Sequence, residues 1–196
     1  MTDREKRSFT CEMRAESTDD KVTIIGYGAV FNSRSENLGG FREEIMPGAF
    51  DSVLEDDVRA YFNHDHNFIL GRTASGTLKL NVDEKGLGYE IDAPTTQTIR
   101  DLVIAPMMRG DVNQSSFAFR VARNGDEWEE DDEGVIVRRI HKMQRLFDVS
   151  PVALPAYPEA SSAKRSLEEF KEQQNIIKRA VHEKAMRERA LKIINA

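Results

Sequence analysis

Over most of the first 158 residues, apolar side chains either alternate with polar ones or cluster with β-branched and aromatic neighbours, which predicts strands. Residues 8–14 alternate weakly. Residues 22–31 (VTIIGYGAVF) are rich in β-branched and aromatic side chains, and their glycines suggest bulges or tight bends of the kind small barrels use. Residues 70–92 predict a hairpin, with alternating arms at 77–82 and 87–91 about a turn at 83–86. A short strand over 58–63 delivers the chain to His64. Residues 115–123 and 134–140 predict strands flanking an acidic turn at 125–133, and 144–152 predict a last strand stopped by Pro151, Pro155 and Pro158. Helical spacing appears at 95–109, where Ile99, Leu102, Val103 and Met107 share a face, with Pro106 predicting a late kink or an end. A second short helix is predicted between Pro47-Gly48 and Asp57, with Phe50, Val53 and Leu54 on one side.

The pattern changes after Pro158. From Ala160 onward there is no glycine or proline, and Ala, Glu, Lys, Gln and Arg dominate. Leu167, Phe170, Ile177 and Val181 form only a thin apolar stripe, too narrow for a core-facing helix. The expected organisation is a β domain over 1–158 and a charged helical arm over 159–196, an α+β chain.

Composition narrows the class further. The chain has 196 residues, 39% hydrophobic and 32% charged, enough for one core under a heavily charged surface. The single cysteine, Cys11, excludes an intrachain disulfide and a cysteine-based zinc cluster. No apolar run reaches the ~18 residues of a membrane span, and the first twenty residues are too charged for a signal peptide, so a soluble intracellular protein is expected. The net charge of −6 is uneven: residues 164–196 carry 9 basic and 5 acidic side chains, which leaves the body at −10. An acidic body argues against nucleic-acid binding, which needs clustered Lys and Arg.

Three segments hold chemistry. Asn63-His64-Asp65-His66 has two histidines at i and i+2, a spacing that suits a metal on a strand face but has no evident third ligand, and suits a polar turn equally. Ser115-Ser116 opens the apolar strand Phe117-Ala118-Phe119. A hydroxyl held rigidly there is a candidate nucleophile if a base lies within hydrogen-bond reach. Neither glycine of a G-x-S-x-G elbow is present, which excludes an α/β-hydrolase. Asp148 interrupts an otherwise apolar strand, so it faces water or a polar partner. Spacing alone leaves these alternatives open.

In order along the chain, Gly26-Tyr27-Gly28-Ala29-Val30-Phe31, Glu44-Ile45-Met46-Pro47-Gly48-Ala49-Phe50, Asn63-His64-Asp65 with Leu70-Gly71-Arg72, Gly110 to Phe119, and Asp148 to Val152 with Pro155-Ala156-Tyr157-Pro158 resemble the tailed-phage prohead (procapsid) maturation proteases. These serine peptidases are distantly similar to herpesvirus assemblin. The resemblance covers residues 8–158. It implies an assemblin-like closed β-barrel edged by helices and a serine endopeptidase that cleaves the scaffolding segment of the major capsid protein, and itself, inside the prohead in the host cytoplasm. The implied nucleophile is Ser116, with Ser115 where the family usually has Met and Ala118 where it usually has Gly. The implied base is His64 and the third member Asp148, where the family more often has Glu; His66 and His141 are the alternative third members. Backbone N–H groups and Arg120, on the nucleophile strand, are the expected oxyanion donors. Besides the capsid protein, self-association is an expected interaction, and no metal or cofactor and no direct nucleic-acid or membrane role is expected. Two competing readings are a catalytically inactive capsid-associated structural or scaffold protein and a metal-dependent hydrolase built on His64 and His66.

Overall fold

The computed structural model describes residues 4–10, 13–18, 21–154 and 161–194. Among them twelve strands form three sheets, and the fold is mixed α+β, mostly strands. The largest sheet has the order β1 (Glu5–Thr10), β9 (Gln114–Val121), β12 (Met143–Val152), β5 (Arg59–Phe62), β6 (Asp65–Arg72). A second runs β2 (Arg14–Ser17), β3 (Val22–Val30), β8 (Gly86–Ala93), β7 (Leu78–Val82). The third is β10 (Asp126–Glu130), β11 (Ile136–Ile140), β4 (Arg42–Ile45).

One apolar core draws on all three sheets, because each strand turns alternate side chains inward. Ile24, Leu87 and Ile91 meet Phe117, Phe119, Leu146 and Val149 there, with Phe50 and Ile140. Phe119 stacks on Phe117 at 4.7 Å, and Phe50 meets Phe117 edge-on at 5.9 Å. Gly28 permits the close approach of β3 to β12: a Cβ there would lie 2.9 Å from Val149 Cγ1.

A second interior feature is ionic. Glu5 and Arg7 of β1, Glu43 of β4 and Arg138 of β11 are buried together. Arg7 donates to Glu5 (2.6 Å) and Glu43 (2.9 Å), while Arg138 donates to Glu5 (2.8 Å), Glu43 (3.0 Å) and Asp126 (2.7 Å). Buried charges persist only when paired in this way.

Three expectations are corrected. Residues 47–55 form successive turns, closed by bonds such as Val53 N–H to Phe50 O (2.9 Å), rather than a helix. The expected acidic turn contains β10, whose Trp128 lies 5.0 Å from Phe41; its four acidic neighbours hide a strand that the composition made look like a loop. The helix runs on past Pro106, as α1 (Gln97–Ile99), a π turn (Arg100–Ile104) and α2 (Ala105–Arg109), ending at Gly110 with φ 82°. The π turn adds a residue ahead of the proline and rotates the apolar face, so Ile104 is buried and Leu102 is exposed.

By its contacts the chain divides into two units, Met1–Ala160 and Ser161–Ala196. The second is the helix α3 (Ser161–Ile194), on which Ile176, Ile177, Val181 and Met186 are exposed. Pro158 and the segment 155–160 lie outside the described residues. Among the described residues no helix is long and apolar enough to cross a membrane.

Candidate active site

Strand β9 sorts its two serines onto opposite faces. Ser115 points with Phe117 and Phe119 toward the core, where its hydroxyl lies 3.2 Å from Tyr89 Oη. Ser116 points the other way, between Ser8 of β1 and Ser150 of β12 in the ladder.

Asp148 reaches that same face because β12 bulges. Leu146 is a core residue, and a residue two further along a regular strand would face the core as well. The ladder instead pairs Leu146 with Phe119 and Asp148 with Ala118, so Phe147 is the extra residue of a bulge. Asp56 Oδ2 accepts the Leu146 N–H (2.9 Å) beside the bulge, supplying an acceptor where β5 has not yet begun.

His64 comes from the tip of the β5–β6 hairpin. Phe62 pairs with Asp65, leaving Asn63 and His64 as a two-residue loop with φ of 55° and 56°. Both central residues of a type I′ turn need positive φ, which asparagine tolerates and histidine adopts at a cost of ~1 kcal/mol. Asn63 holds the turn against the end of β12: its N–H donates to Pro151 O (2.9 Å), and its Oδ1 accepts the Ala153 N–H (2.9 Å).

The three side chains meet. His64 Nε2 lies 2.7 Å from Ser116 Oγ, and His64 Nδ1 lies 2.5 Å from Asp148 Oδ1. An ionised carboxylate only accepts, so in the neutral imidazole Nδ1 carries the proton and Nε2 offers its lone pair to the serine hydroxyl. The Ser150 hydroxyl donates to Asp148 Oδ1 (3.0 Å), and Arg4 forms an ion pair with Asp148 Oδ2. Ser116 and Asp148 are fully buried and the His64 side chain is 6% exposed, so these contacts act in a medium of low polarity. Burial pushes the Asp148 carboxyl up, but the His64 hydrogen bond and charge, then Arg4 and Ser150, outweigh it and hold the group below the usual carboxylate range.

The other expected residues lie apart from this chain. His66 is exposed and packs on Tyr61 at 4.9 Å. His141 is 43% exposed and lies 3.6 Å from Glu127. Arg120 shares the Ser116 face but is four residues along β9, about 13 Å of extended chain. Its guanidinium sits over the Phe147 ring at 5.5 Å. Ser150, Asn63, Asp56 and Arg4 went unassigned in the sequence. Ser150 alone carried a signal, being two residues from Asp148 and hence on its face.

No curated protein and no solved structure gives a significant match to the chain. The family model of the caudovirus prohead serine proteases matches residues 9–173, a span that includes His64, Ser116 and Asp148, and the chain belongs to that family.

Proposed function

We propose that this protein is a serine endopeptidase in which Ser116 is the nucleophile, His64 the general base and Asp148 the group that orients and stabilises the imidazolium. The hydrogen-bonded sequence Asp148–His64–Ser116, built from three separate strands or turns, is the observation that carries the reading. His64 Nε2 takes the hydroxyl proton as Ser116 Oγ attacks the scissile carbonyl, then returns it to the leaving amine; water repeats the sequence to release the acyl group. Asp148 stays ionised throughout, supported by Ser150 and Arg4. Backbone N–H groups near Ser116 serve the oxyanion.

Family membership supports a substrate class. Prohead proteases act with capsid proteins during phage maturation, which supports the scaffolding segment of the major capsid protein as substrate, cleaved inside the prohead in the host cytoplasm. Self-cleavage in or before the arm over 159–196 belongs to the same proposal. A core common to all three sheets supports an assemblin-like barrel for the body over 1–158.

Co-expression with the cognate capsid protein, followed by intact-mass analysis, tests the function. The wild-type chain should yield shortened capsid protein in the presence of a chelator, and Ser116→Ala should leave capsid protein and protease full length. Uncleaved capsid protein in both would favour the inactive structural reading, and loss of cleavage with chelator the metal-dependent one.

A further inference from the structure

The face of the large sheet that carries Ser116 is laid out in cross-strand rows. Ser8, Ser116 and Ser150 form one row, and Lys6, Ala118 and Asp148 form the next. The third pairs Arg120 with Arg145, and Arg4 joins it from the end of β1, one residue before the Glu5–Phe119 pair. All three guanidiniums surround one ring. Arg4 lies 5.0 Å from the Phe147 centroid, and Arg120 and Arg145 each lie 5.5 Å from it. Phe147 is the residue extruded by the bulge that turns Asp148 toward His64, so one backbone irregularity fixes both the triad carboxylate and the centre of the cationic row.

Charge balance sets this row apart. The body is strongly acidic, and its other arginines are largely committed: Arg7, Arg34, Arg72, Arg138 and Arg139 are paired with carboxylates. Arg4 is paired with Asp148. Arg120 and Arg145 form no close ion pair among the described residues, although the Asp57 carboxylate lies within electrostatic reach of Arg145, and Arg120 Nε is buried without a hydrogen-bond acceptor. Arg145 is exposed, and the Arg4 side chain is 37% exposed. With Arg4 held by Asp148, the Arg120 and Arg145 guanidiniums remain as like charges around one ring, and they repel each other unless an anion is shared between them.

We infer that the Arg120–Arg145 pair, beside Arg4, is a substrate subsite that selects an Asp or Glu side chain about four residues from the scissile bond. The distance follows from the strand: Ser116 and Arg120 are about 13 Å apart, a span that an extended peptide covers in about four residues. Guanidinium forks suit a carboxylate, and an arginine stacked on Phe147 loses less freedom when it binds one. The inference rests on the protease reading and gives that site a specificity.

The test is a degenerate peptide library spanning at least ~four residues on each side of the cleaved bond, read by mass spectrometry with the full-length protein. Cleaved peptides should be enriched in Asp and Glu about four residues from the bond, by roughly three- to tenfold over Asn and Gln. Arg145→Glu should reverse that preference toward Lys and Arg. Arg145→Gln should flatten it, with the change seen in KM more than in kcat. Circular dichroism establishes that both variants are folded. Cleavage without acidic enrichment at that distance, or enrichment that Arg145→Glu leaves intact, overturns the subsite and spares the protease. Failure of the wild type to cleave any peptide overturns both. Tighter binding of a single-stranded DNA oligonucleotide than of an equally charged peptide by Ser116→Ala also overturns it, in favour of a nucleic-acid surface.

Discussion

His64 occupies a turn position that glycine would fill without strain, and Asn63 ties that strained turn to the exit of β12. Replacing Asn63 by Ala removes the bond to Ala153 N–H and puts a less tolerant residue at positive φ, so it should cost about 1–2 kcal/mol of stability. Because the tip carries the proposed base, kcat should fall more than KM rises; thermal melts and kinetics on the same preparation check both. Asp148→Asn should lower kcat by roughly 10⁴, since an amide no longer fixes the imidazole tautomer. The Asp148 carboxyl is depressed in the folded state, so its contribution is complete above the ordinary value of 3.8 and is lost as pH falls through the lower folded value. The stability difference between wild type and Asp148→Asn should therefore shrink as pH falls below 3.8, as measured by urea unfolding across that range.

β1 shows how an element can be held by charge rather than by apolar burial. Glu5 and Arg7 point inward to Glu43 and Arg138, while the other face lines Ser116 and its neighbours. Burial pushes the Glu5 carboxyl up, and Arg138 and Arg7 more than offset it, leaving it lowered from 4.5. A depressed carboxylate stabilises the fold above 4.5 and ceases to as pH falls through its folded value. Amide exchange in Glu5–Thr10 should accelerate below pH 4.5 before exchange in β9 does, and uniform acceleration across both would show that β1 is not a separate acid-labile element. This strand illustrates what the sequence withheld. Its alternation is of charged side chains, so hydrophobic periodicity is weak there, and the acidic strand β10 was hidden for the same reason. Strands with apolar inward faces, such as β3, β8 and β9, were plain. Ser116, His64 and Asp148 were nameable from motif order, whereas the bulge at Phe147 and the Asp56 bond beside it depend on pairing between distant strands, which no local pattern encodes.

Across the whole chain, the family match stops at residue 173, and the exposed side chains Ile176, Ile177, Val181 and Met186 lie beyond it. Removing residues 174–196 should leave Ser116-dependent cleavage of a peptide within about twofold of wild type, since exposed residues contribute little to folding. Packaging into proheads should fall if the arm delivers the protease. Loss of peptide cleavage in the truncated protein would make that segment part of the catalytic unit. In the proposed mechanism His64 activates Ser116 and not its neighbour. A fluorophosphonate bonds covalently to an activated serine, and peptide mapping of the adduct locates it. The predicted result is one adduct per chain, on Ser116, that His64→Ala abolishes. An adduct on Ser115, or labelling of Ser116 that persists in His64→Ala, would contradict it.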